Sequence, residues 1–301
     1  MKKNKNIKKY LSDISLFFVA VVWGGGFVII KDTLTTVTPM LLISLRFIFA
    51  AIIMYIILNK KIGKITKDEL KKGSIVGFLL YLAFASQTYG LQYTTASKQG
   101  FLTAAYAVIV PFLYWILYRK RPKYRAFIGS ALTIVGIGLI SLHGSLVMNK
   151  GDLLTLLCAL FFAMHIISIE YFAKDMNVYK LAFIQISVAA IFSIVSTIAT
   201  EPIILTLSVK AWVSILFSAV FSTFLCFTVQ TIAQKYTTSS HASIIMSLES
   251  VFAAIFGVLL LHEVMTPLMI FGCILIFLAI LIIEVDFDFK KNTKSSLKKI
   301  V

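Results

Sequence analysis

The sequence predicts an all-α polytopic membrane protein with about ten transmembrane helices, arranged as two inverted five-helix repeats. Three observations indicate this fold class: the composition, the number of long apolar stretches, and a likeness between the two halves of the chain. Of the 301 residues, 59% are hydrophobic and 14% are charged, whereas soluble domains are roughly half apolar and about a quarter charged. The mean hydropathy is +0.93, so most of the chain is expected to lie in lipid.

Ten apolar stretches stand between charged and turn residues, each near the roughly 20 residues that a helix needs to cross a bilayer. We predict spans at 12–30, 39–58, 73–92, 99–118, 125–142, 152–173, 180–200, 211–234, 240–261 and 267–285. The apolar runs are continuous and do not alternate, which excludes a transmembrane β-barrel. Most connections are short, so residues 1–301 are expected to form a single membrane domain with basic tails at 1–11 and 286–301.

The basic start of the chain resembles the first part of a signal peptide. The apolar run that follows is long and has no small-residue cleavage site before the next charge. We therefore expect this run to be retained as the first span.

Lysine and arginine predict the orientation of the spans. Of the 29 basic residues, 24 fall on the two tails and alternate connections, 4 fall on the remaining connections, and Arg46 lies inside a span. The basic side is expected to be cytoplasmic, so both termini should be cytoplasmic in a multi-pass protein of the cell (inner) membrane. The net charge of +16 is then a topology signal, and no nucleic-acid partner is expected.

The two halves of the chain share a motif and several matched positions. The sequence QYTTAS at 92–97 reappears as KYTTSS at 235–240. Around the second span of each half, Arg46 falls opposite Gln185 at an offset of 139 residues, compared with 143 residues for the first motif. These matches indicate an internal duplication, and residues that correspond under them are called repeat equivalents.

Each predicted repeat, about 12–142 and about 152–285, holds five spans. Because five is an odd number, the second copy must be inverted relative to the first, and the alternating charges require the same inversion. Inverted repeats are the architecture of many secondary transporters, in which two halves rock about a central site. The alternative is a duplication in a membrane protein that has some other task.

Two charged residues lie well away from the ends of spans, where charges are costly and are often functional. Glu249 is roughly 14 Å along its helix, near the midplane, where it could be a proton or substrate-ammonium site or a structural carboxyl. Arg46 could hold a substrate carboxylate or close an outer gate. Its alternative is snorkelling to headgroups or pairing with backbone carbonyls. Glu170 lies near a span end and is expected to snorkel or to pair with Lys174.

Several neutral residues within spans are further candidates. His165 could switch its charge near physiological pH or be a packing residue. Aromatic rings and side-chain amides could line a small-molecule cavity or pack between helices; these are Trp23, Gln87, Tyr89, Tyr106 and Gln230. Residues that permit close approach, unwinding or kinking of helices are Gly24, Gly25, Gly26 and Pro111.

No motif for a metal, a cofactor or a catalytic site is present. The sequence lacks an HExxH pattern, an acidic cluster and paired cysteines, and Cys158, Cys226 and Cys273 are scattered within spans. No metal, cofactor or catalytic residue is therefore expected. GxxxxGK[ST] is also absent, so transport would draw on a substrate or ion gradient, with protons as the candidate ion.

Several short motifs occur in order along almost all of 12–285. They are Trp23-Gly24-Gly25-Gly26-Phe27 with Lys31, Pro39 with Arg46, Gly90 to Ser97 leading into Phe101-Leu102-Thr103 and Val110-Pro111, Gly151-Asp152, Ser247 to Phe252, and His262-Glu263. Together these motifs resemble the EamA-type members of the drug/metabolite transporter superfamily. The resemblance implies a secondary exporter of small metabolites, most commonly amino acids. It also implies a site lined mainly by spans one, three, four, six, eight and nine.

Two positions depart from the family pattern. The family often has proline directly after the carboxylate of the ninth span, and this chain has Ser250, so a kink at 250 does not follow from the resemblance. The acidic residue usual at the end of the fourth span is replaced by the basic Arg119-Lys120-Arg121, which we interpret as a difference in loop geometry.

Two other functional classes remain as alternatives. The first is a lipid or amphiphile flippase of the same fold, which would need a lateral opening to the bilayer. The second is a membrane-embedded enzyme, which would need a clustered nucleophile and base or a metal site. The leading hypothesis is a secondary transporter in the lipid bilayer with a small-molecule substrate.

Overall fold

The computed structural model describes residues 2–119, 121–141 and 149–284, which form a bundle of ten helices. The helices are α1 Lys2–Thr33, α2 Pro39–Ile62, α3 Lys67–Gln92, α4 Ala96–Tyr118, α5 Tyr124–Ser141, α6 Lys150–Ala173, α7 Val178–Thr200, α8 Val209–Ala233, α9 Ser239–Leu261 and α10 Pro267–Glu284. Within these residues, eight helices are long and apolar enough to cross a membrane, and α5 and α10 are shorter and apolar. The predicted fold class is confirmed. Apart from α1, which begins at Lys2, the predicted spans lie close to the observed helices.

The helix bounds repeat along the chain. Helices α4 and α9 begin and end at repeat-equivalent residues, and so do α5 and α10. Even the caps are equivalent. Thr95 and Thr238 each accept a hydrogen bond from the backbone N–H three residues on. Arg119 and His262 both end their helices in the left-handed conformation, with φ of 56° and 52°.

The connections alternate between the two ends of the bundle. At one end Lys8 lies over the ring of Tyr236, 5.2 Å from its centre, so the start of α1 and the α8–α9 connection share this end. We call it the basic face; it also holds the α2–α3, α4–α5 and α6–α7 connections. The opposite end, where α1 finishes and α2 begins, is called the second face.

Two of the ion pairs that join the repeats occupy equivalent positions, one at each face. Lys98 and Asp152 are 2.7 Å apart and almost fully buried near the second face. Near the basic face, His241 Nε2 lies 3.1 Å from Asp13. His241 is the repeat equivalent of Lys98, and Asp152 is the repeat equivalent of Asp13. The two ion pairs are therefore related to each other by the internal repeat.

The helices pack most closely where side chains are small. Helices α5 and α10 touch at Gly136 and Gly272, where a Cβ on either residue would lie 2.8 Å from the carbonyl oxygen of the other. Around the bundle centre, helices α1, α3, α4, α6, α8 and α9 contribute to one continuous hydrophobic core. This packing leaves a cavity between the two repeats.

Candidate transport site

The cavity lies between the two repeats and holds about 590 Å³ of empty space, counted with its open mouth. It is lined by helices α1, α3, α4, α6, α8 and α9, and also by α2 through Arg46. The lining residues are Trp23, Gly26, Phe27, Ile30, Arg46, Phe84, Gln87, Thr88, Leu91, Tyr106, Phe162, Ile166, Ser222, Phe227, Gln230 and Glu249. Apolar and aromatic walls with a few polar groups are typical of small-molecule sites.

Equivalent residues of the two repeats face each other across this cavity. Five pairs of repeat equivalents are part of the lining: Trp23 with Phe162, Phe27 with Ile166, Phe84 with Phe227, Gln87 with Gln230, and Tyr106 with Glu249. The cavity therefore lies on the pseudo-twofold axis, where a rocking motion of the repeats would act on both sides of a bound molecule.

Tyr106 and Glu249 each follow an interruption of their helix, α4 and α9 respectively. The regular helix breaks at Ala105 and again at Leu248, its equivalent. Tyr106 and Glu249 thus open the second segments of their helices. In α4 the break lies well before Pro111, which is inside a regular segment. In α9 the break at Leu248 is present with Ser250 in the family's proline position, so it does not depend on a proline.

Glu249 and Tyr106 are buried, with 4% and 2% of their surface exposed. Their side chains are close enough to interact electrostatically. Even so, the Tyr106 hydroxyl and the Gln230 carbonyl oxygen have no hydrogen-bond partner of normal geometry among the described residues. Buried polar atoms are rarely left unpaired without a reason. The Gln230 carbonyl oxygen and the Tyr106 hydroxyl, the latter beside the Glu249 carboxyl, are thus the polar atoms of the lining with unused hydrogen-bonding capacity.

Arg46 reaches the cavity from α2 and is held by a distorted part of α8. Ser218–Leu225 forms a π-helix, a rare geometry often found at functional sites. In this segment the Thr223 hydroxyl accepts a hydrogen bond of 2.5 Å from Arg46 Nε, and the Ser222 hydroxyl accepts one of 2.9 Å from Nη2. The guanidinium also lies over the Phe84 ring, 4.6 Å from its centre.

The charge of Arg46 forms no ion pair in the part of the chain that the structure describes. Only 5% of the residue is exposed, so the side chain does not snorkel. A buried charge without a counter-ion is costly. The cavity thus presents a guanidinium at one place and a carboxyl at another, and neither neutralises the other.

Comparison with known proteins agrees with this arrangement. A model of the EamA-like transporter family matches the chain twice, at residues 11–142 and 149–285. The chain belongs to the EamA-like transporter family. It is therefore a membrane transporter.

Relatives of this EamA-like protein are known in several organisms. An uncharacterized transporter of Archaeoglobus fulgidus is 34% identical over 93% of this chain and 88% of its own. The uncharacterized transporter YoaV of Bacillus subtilis is 25% identical over 87% of this chain and 93% of its own. A solved crystal structure of a protein superposes with a TM-score of 0.70 at 15% identity, over 90% of this chain and 97% of that one. This last likeness concerns the fold alone.

Two candidate residues lie outside the cavity lining of the EamA-like protein. The imidazole Nε2 of His165 is 2.8 Å from Gln185 Oε1 in the packed interior. The Tyr89 hydroxyl donates a 2.9 Å hydrogen bond to Glu201, whose carboxylate also accepts from the N–H groups of Met40 and Leu41 at the start of α2. Both side chains therefore have hydrogen-bond partners outside the cavity lining, while His165 Nδ1 has none among the described residues.

The three consecutive glycines of α1 have different surroundings. Gly26 lines the cavity. Gly24 is pressed against α9, where a Cβ would meet the Cβ of Phe252 and lie 2.8 Å from the Glu249 carbonyl oxygen. A Cβ on Gly25 would be 3.6 Å from the Phe256 ring, an ordinary contact. Close packing of α1 against α9 therefore explains why residue 24 is a glycine.

Sequence reasoning missed several lining residues of this EamA-like transporter. Phe84 and Phe227 were not singled out, although they are repeat equivalents, and the same signal marks Gln87 and Gln230. Ser222 lacked any such signal, because its role depends on the π-helix. Within the described residues, no cluster of metal-binding side chains occurs and the three cysteines are buried and free.

Proposed function

We propose that this protein is a secondary transporter that exports small zwitterionic metabolites, such as amino acids, by alternating access. One observation carries the proposal: an unpaired, buried guanidinium and a buried carboxyl line the same cavity. A molecule with a carboxylate and an ammonium group can complement both at once.

Each end of such a substrate has a specific partner. The planar guanidinium of Arg46 suits a carboxylate, which it can bind through two parallel hydrogen bonds. Glu249 suits an ammonium group, and the nearby Tyr106 hydroxyl can accept a further hydrogen bond from it. The tilted pair of Trp23 and Phe227, with ring centres 5.2 Å apart, offers an apolar surface for the remainder of the molecule.

The orientation follows from the charges. We propose that the basic face is cytoplasmic, with both termini inside the cell, because basic connections are retained on that side. A periplasmic reporter such as alkaline phosphatase, fused after residue 286, should be inactive. High activity of this fusion would reverse the proposed orientation, and with it the direction called export.

The energy for uphill transport would come from a gradient. Glu249 is the candidate carrier of a coupled proton, because it is a carboxyl in the cavity and can exist charged or neutral. Substrate and proton would then use the site in turn as the repeats rock.

Reconstituted vesicles test the proposed function. Vesicles loaded with an unlabelled amino acid should accumulate the same labelled amino acid by exchange, for at least one member of a panel of twenty. Empty vesicles and vesicles with the Arg46→Ala variant are the controls, and both should show only background uptake. Background uptake of every amino acid by the parent protein would overturn the proposed substrate class.

A further inference from the structure

Two carboxylates hold the starts of α4 and α9 at opposite faces. At the second face, Glu263 accepts hydrogen bonds from the N–H groups of Ala96, at 2.6 Å, and Ser97, at 2.9 Å. At the basic face, Glu170 accepts one from the N–H of Ser239, at 2.8 Å. Ser239 is the repeat equivalent of Ala96. The two helix starts are thus capped in equivalent ways, and each cap stabilises the helix end that it contacts.

The two carboxylates nevertheless come from different places in the repeats. Glu263 follows the end of α9, and its equivalent after α4 is the basic Lys120, which lies outside the described residues. Glu170 comes instead from α6. This contact ties α6 directly to the start of α9.

The cavity shows what this contact does. Ile30 and Leu91 line the cavity in the halves of α1 and α3 nearer the second face. Their repeat equivalents near the basic face, Ile169 and Gln234, do not line it. Gln234 Nε2 donates a 2.9 Å hydrogen bond to the carbonyl oxygen of Ile166 in α6. The cavity therefore extends further towards the second face than towards the basic face, where polar contacts join α6 to the end of α8.

The equivalent contact at the second face does not close the cavity. Lys31 is the repeat equivalent of Glu170, and its Nζ donates hydrogen bonds of 2.8 Å and 2.7 Å to the carbonyl oxygens of Leu91 and Thr94. The lysine side chain is longer than that of glutamate, so it can span a wider separation of the two helices. Ile30, its neighbour in α1, accordingly still lines the cavity.

We propose that Glu170 and Gln234 form a latch that holds α6 against the α8–α9 connection and closes the cavity at the basic face. This inference rests on the alternating access of the proposed function. Release of the latch opens the cavity to the basic face. Both are positioning residues, and neither contacts the substrate.

The Glu170 carboxylate also has partners that remain in contact with it when the latch opens. The other carboxylate oxygen of Glu170, Oε1, lies 3.3 Å from Lys174 Nζ, as the sequence predicted, and 3.4 Å from the Tyr114 hydroxyl. Lys174 directly follows α6 and Tyr114 lies on α4, so neither partner belongs to α8 or α9. The carboxylate can therefore keep them when Ser239 moves away.

Accessibility of an engineered cysteine tests the latch. The full chain, with its three native cysteines replaced by alanine, carries Ile166→Cys in the cavity wall. Right-side-out and inside-out vesicles are treated with a membrane-impermeant maleimide, and protease access to an N-terminal tag identifies the exposed face. In this background the cysteine should react mainly from the second face.

Removal of the latch should increase maleimide labelling of the engineered cysteine from the basic face. Glu170→Met keeps the length of the side chain but cannot accept the hydrogen bond, and loss of such a cap shifts an equilibrium roughly 2- to 30-fold. Labelling from the basic face should rise by that factor, and Gln234→Met should act in the same direction.

Glu263→Met is the matched control, since it removes the equivalent cap at the second face and should not raise labelling from the basic face. Unchanged labelling from the basic face in both Glu170→Met and Gln234→Met would overturn the latch. If Glu170→Met folds poorly, Gln234→Met decides alone, because it removes a neutral hydrogen bond only. The labelling needs no substrate, so failure of the latch is distinguishable from failure of amino-acid exchange.

Discussion

Tyr106 and Glu249 occupy the same position in the two repeats, and each begins the helical segment that follows an interruption. Both line the cavity. Duplication thus placed two side chains face to face, and divergence made one a phenol and the other a carboxyl. The repeats are equivalent in backbone, while the chemistry of the cavity is asymmetric.

Replacement of the carboxyl at this position tests proton coupling. Glu249→Gln keeps the shape and much of the hydrogen bonding but cannot ionise. If Glu249 carries the proton, exchange of substrate between equal pools should persist at saturating substrate, with a weaker apparent affinity because the ammonium contact is lost, while uptake driven by an imposed pH step is lost. Vesicles assayed in both modes separate the two effects, with Tyr106→Phe as the control that leaves the carboxyl in place.

Two results would contradict the role of Glu249. Proton-driven uptake that persists in Glu249→Gln would exclude this residue as the carrier. A parent protein that shows exchange but no proton-driven uptake would be an uncoupled facilitator, and Glu249 would then act in binding alone.

Replacement of Arg46 tests carboxylate binding. Arg46→Lys keeps the charge but loses the planar fork and cannot contact Ser222, Thr223 and a substrate together. Loss of one or two charge-assisted hydrogen bonds costs about 1.5–3 kcal/mol, so the apparent affinity should fall roughly 10- to 100-fold. Equilibrium binding of labelled substrate to the purified protein measures this change.

The matched control for this variant is Gln185→Asn. Gln185 is the repeat equivalent of Arg46, but its amide is bonded to His165 and Thr231 outside the cavity lining. The affinity of the Gln185→Asn variant for labelled substrate should stay near that of the parent protein. Equal affinities of the parent and a correctly folded Arg46→Lys variant would exclude bidentate recognition by Arg46.

Neighbouring glycines of α1 provide a packing test. Gly24→Ala forces a methyl group against Phe252 and the Glu249 carbonyl oxygen, and overpacking of this kind costs about 1–3 kcal/mol. Gly25→Ala adds a methyl group at ordinary contact distance and should be neutral or slightly stabilising. Thermal unfolding in detergent measures both. A Gly24→Ala variant as stable as Gly25→Ala would show that α1 and α9 are less tightly packed than described.

The ten helices could be predicted because the bilayer imposes a simple rule on sequence. A span needs a continuous apolar run of a certain length, and such runs are visible without any tertiary information. Arg46 and Glu249 stood out for the same reason, since charges inside spans are rare. The internal repeat then indicated which residues should face each other.

The partners of those charges could not be predicted in this way. Ser222 and Thr223 contact Arg46 because α8 is locally π-helical. No residue type in this segment predicts a π-helix from the sequence. The interruption at Leu248 is likewise present without a proline beside it. Tyr89 differs from Gln87 by two positions on one helix, and only the packing of α3 decides which of them lines the cavity.

Recognition of both charged ends of one molecule is the central claim, and competition during exchange tests it most directly. The amino acid that the parent exchanges best is compared with its decarboxylated amine and its deaminated acid, as inhibitors of labelled uptake into vesicles. We predict that the amino acid inhibits at least about tenfold more strongly than either analogue, because each analogue leaves Arg46 or Glu249 without its partner. Equal inhibition by all three compounds would contradict binding between Arg46 and Glu249.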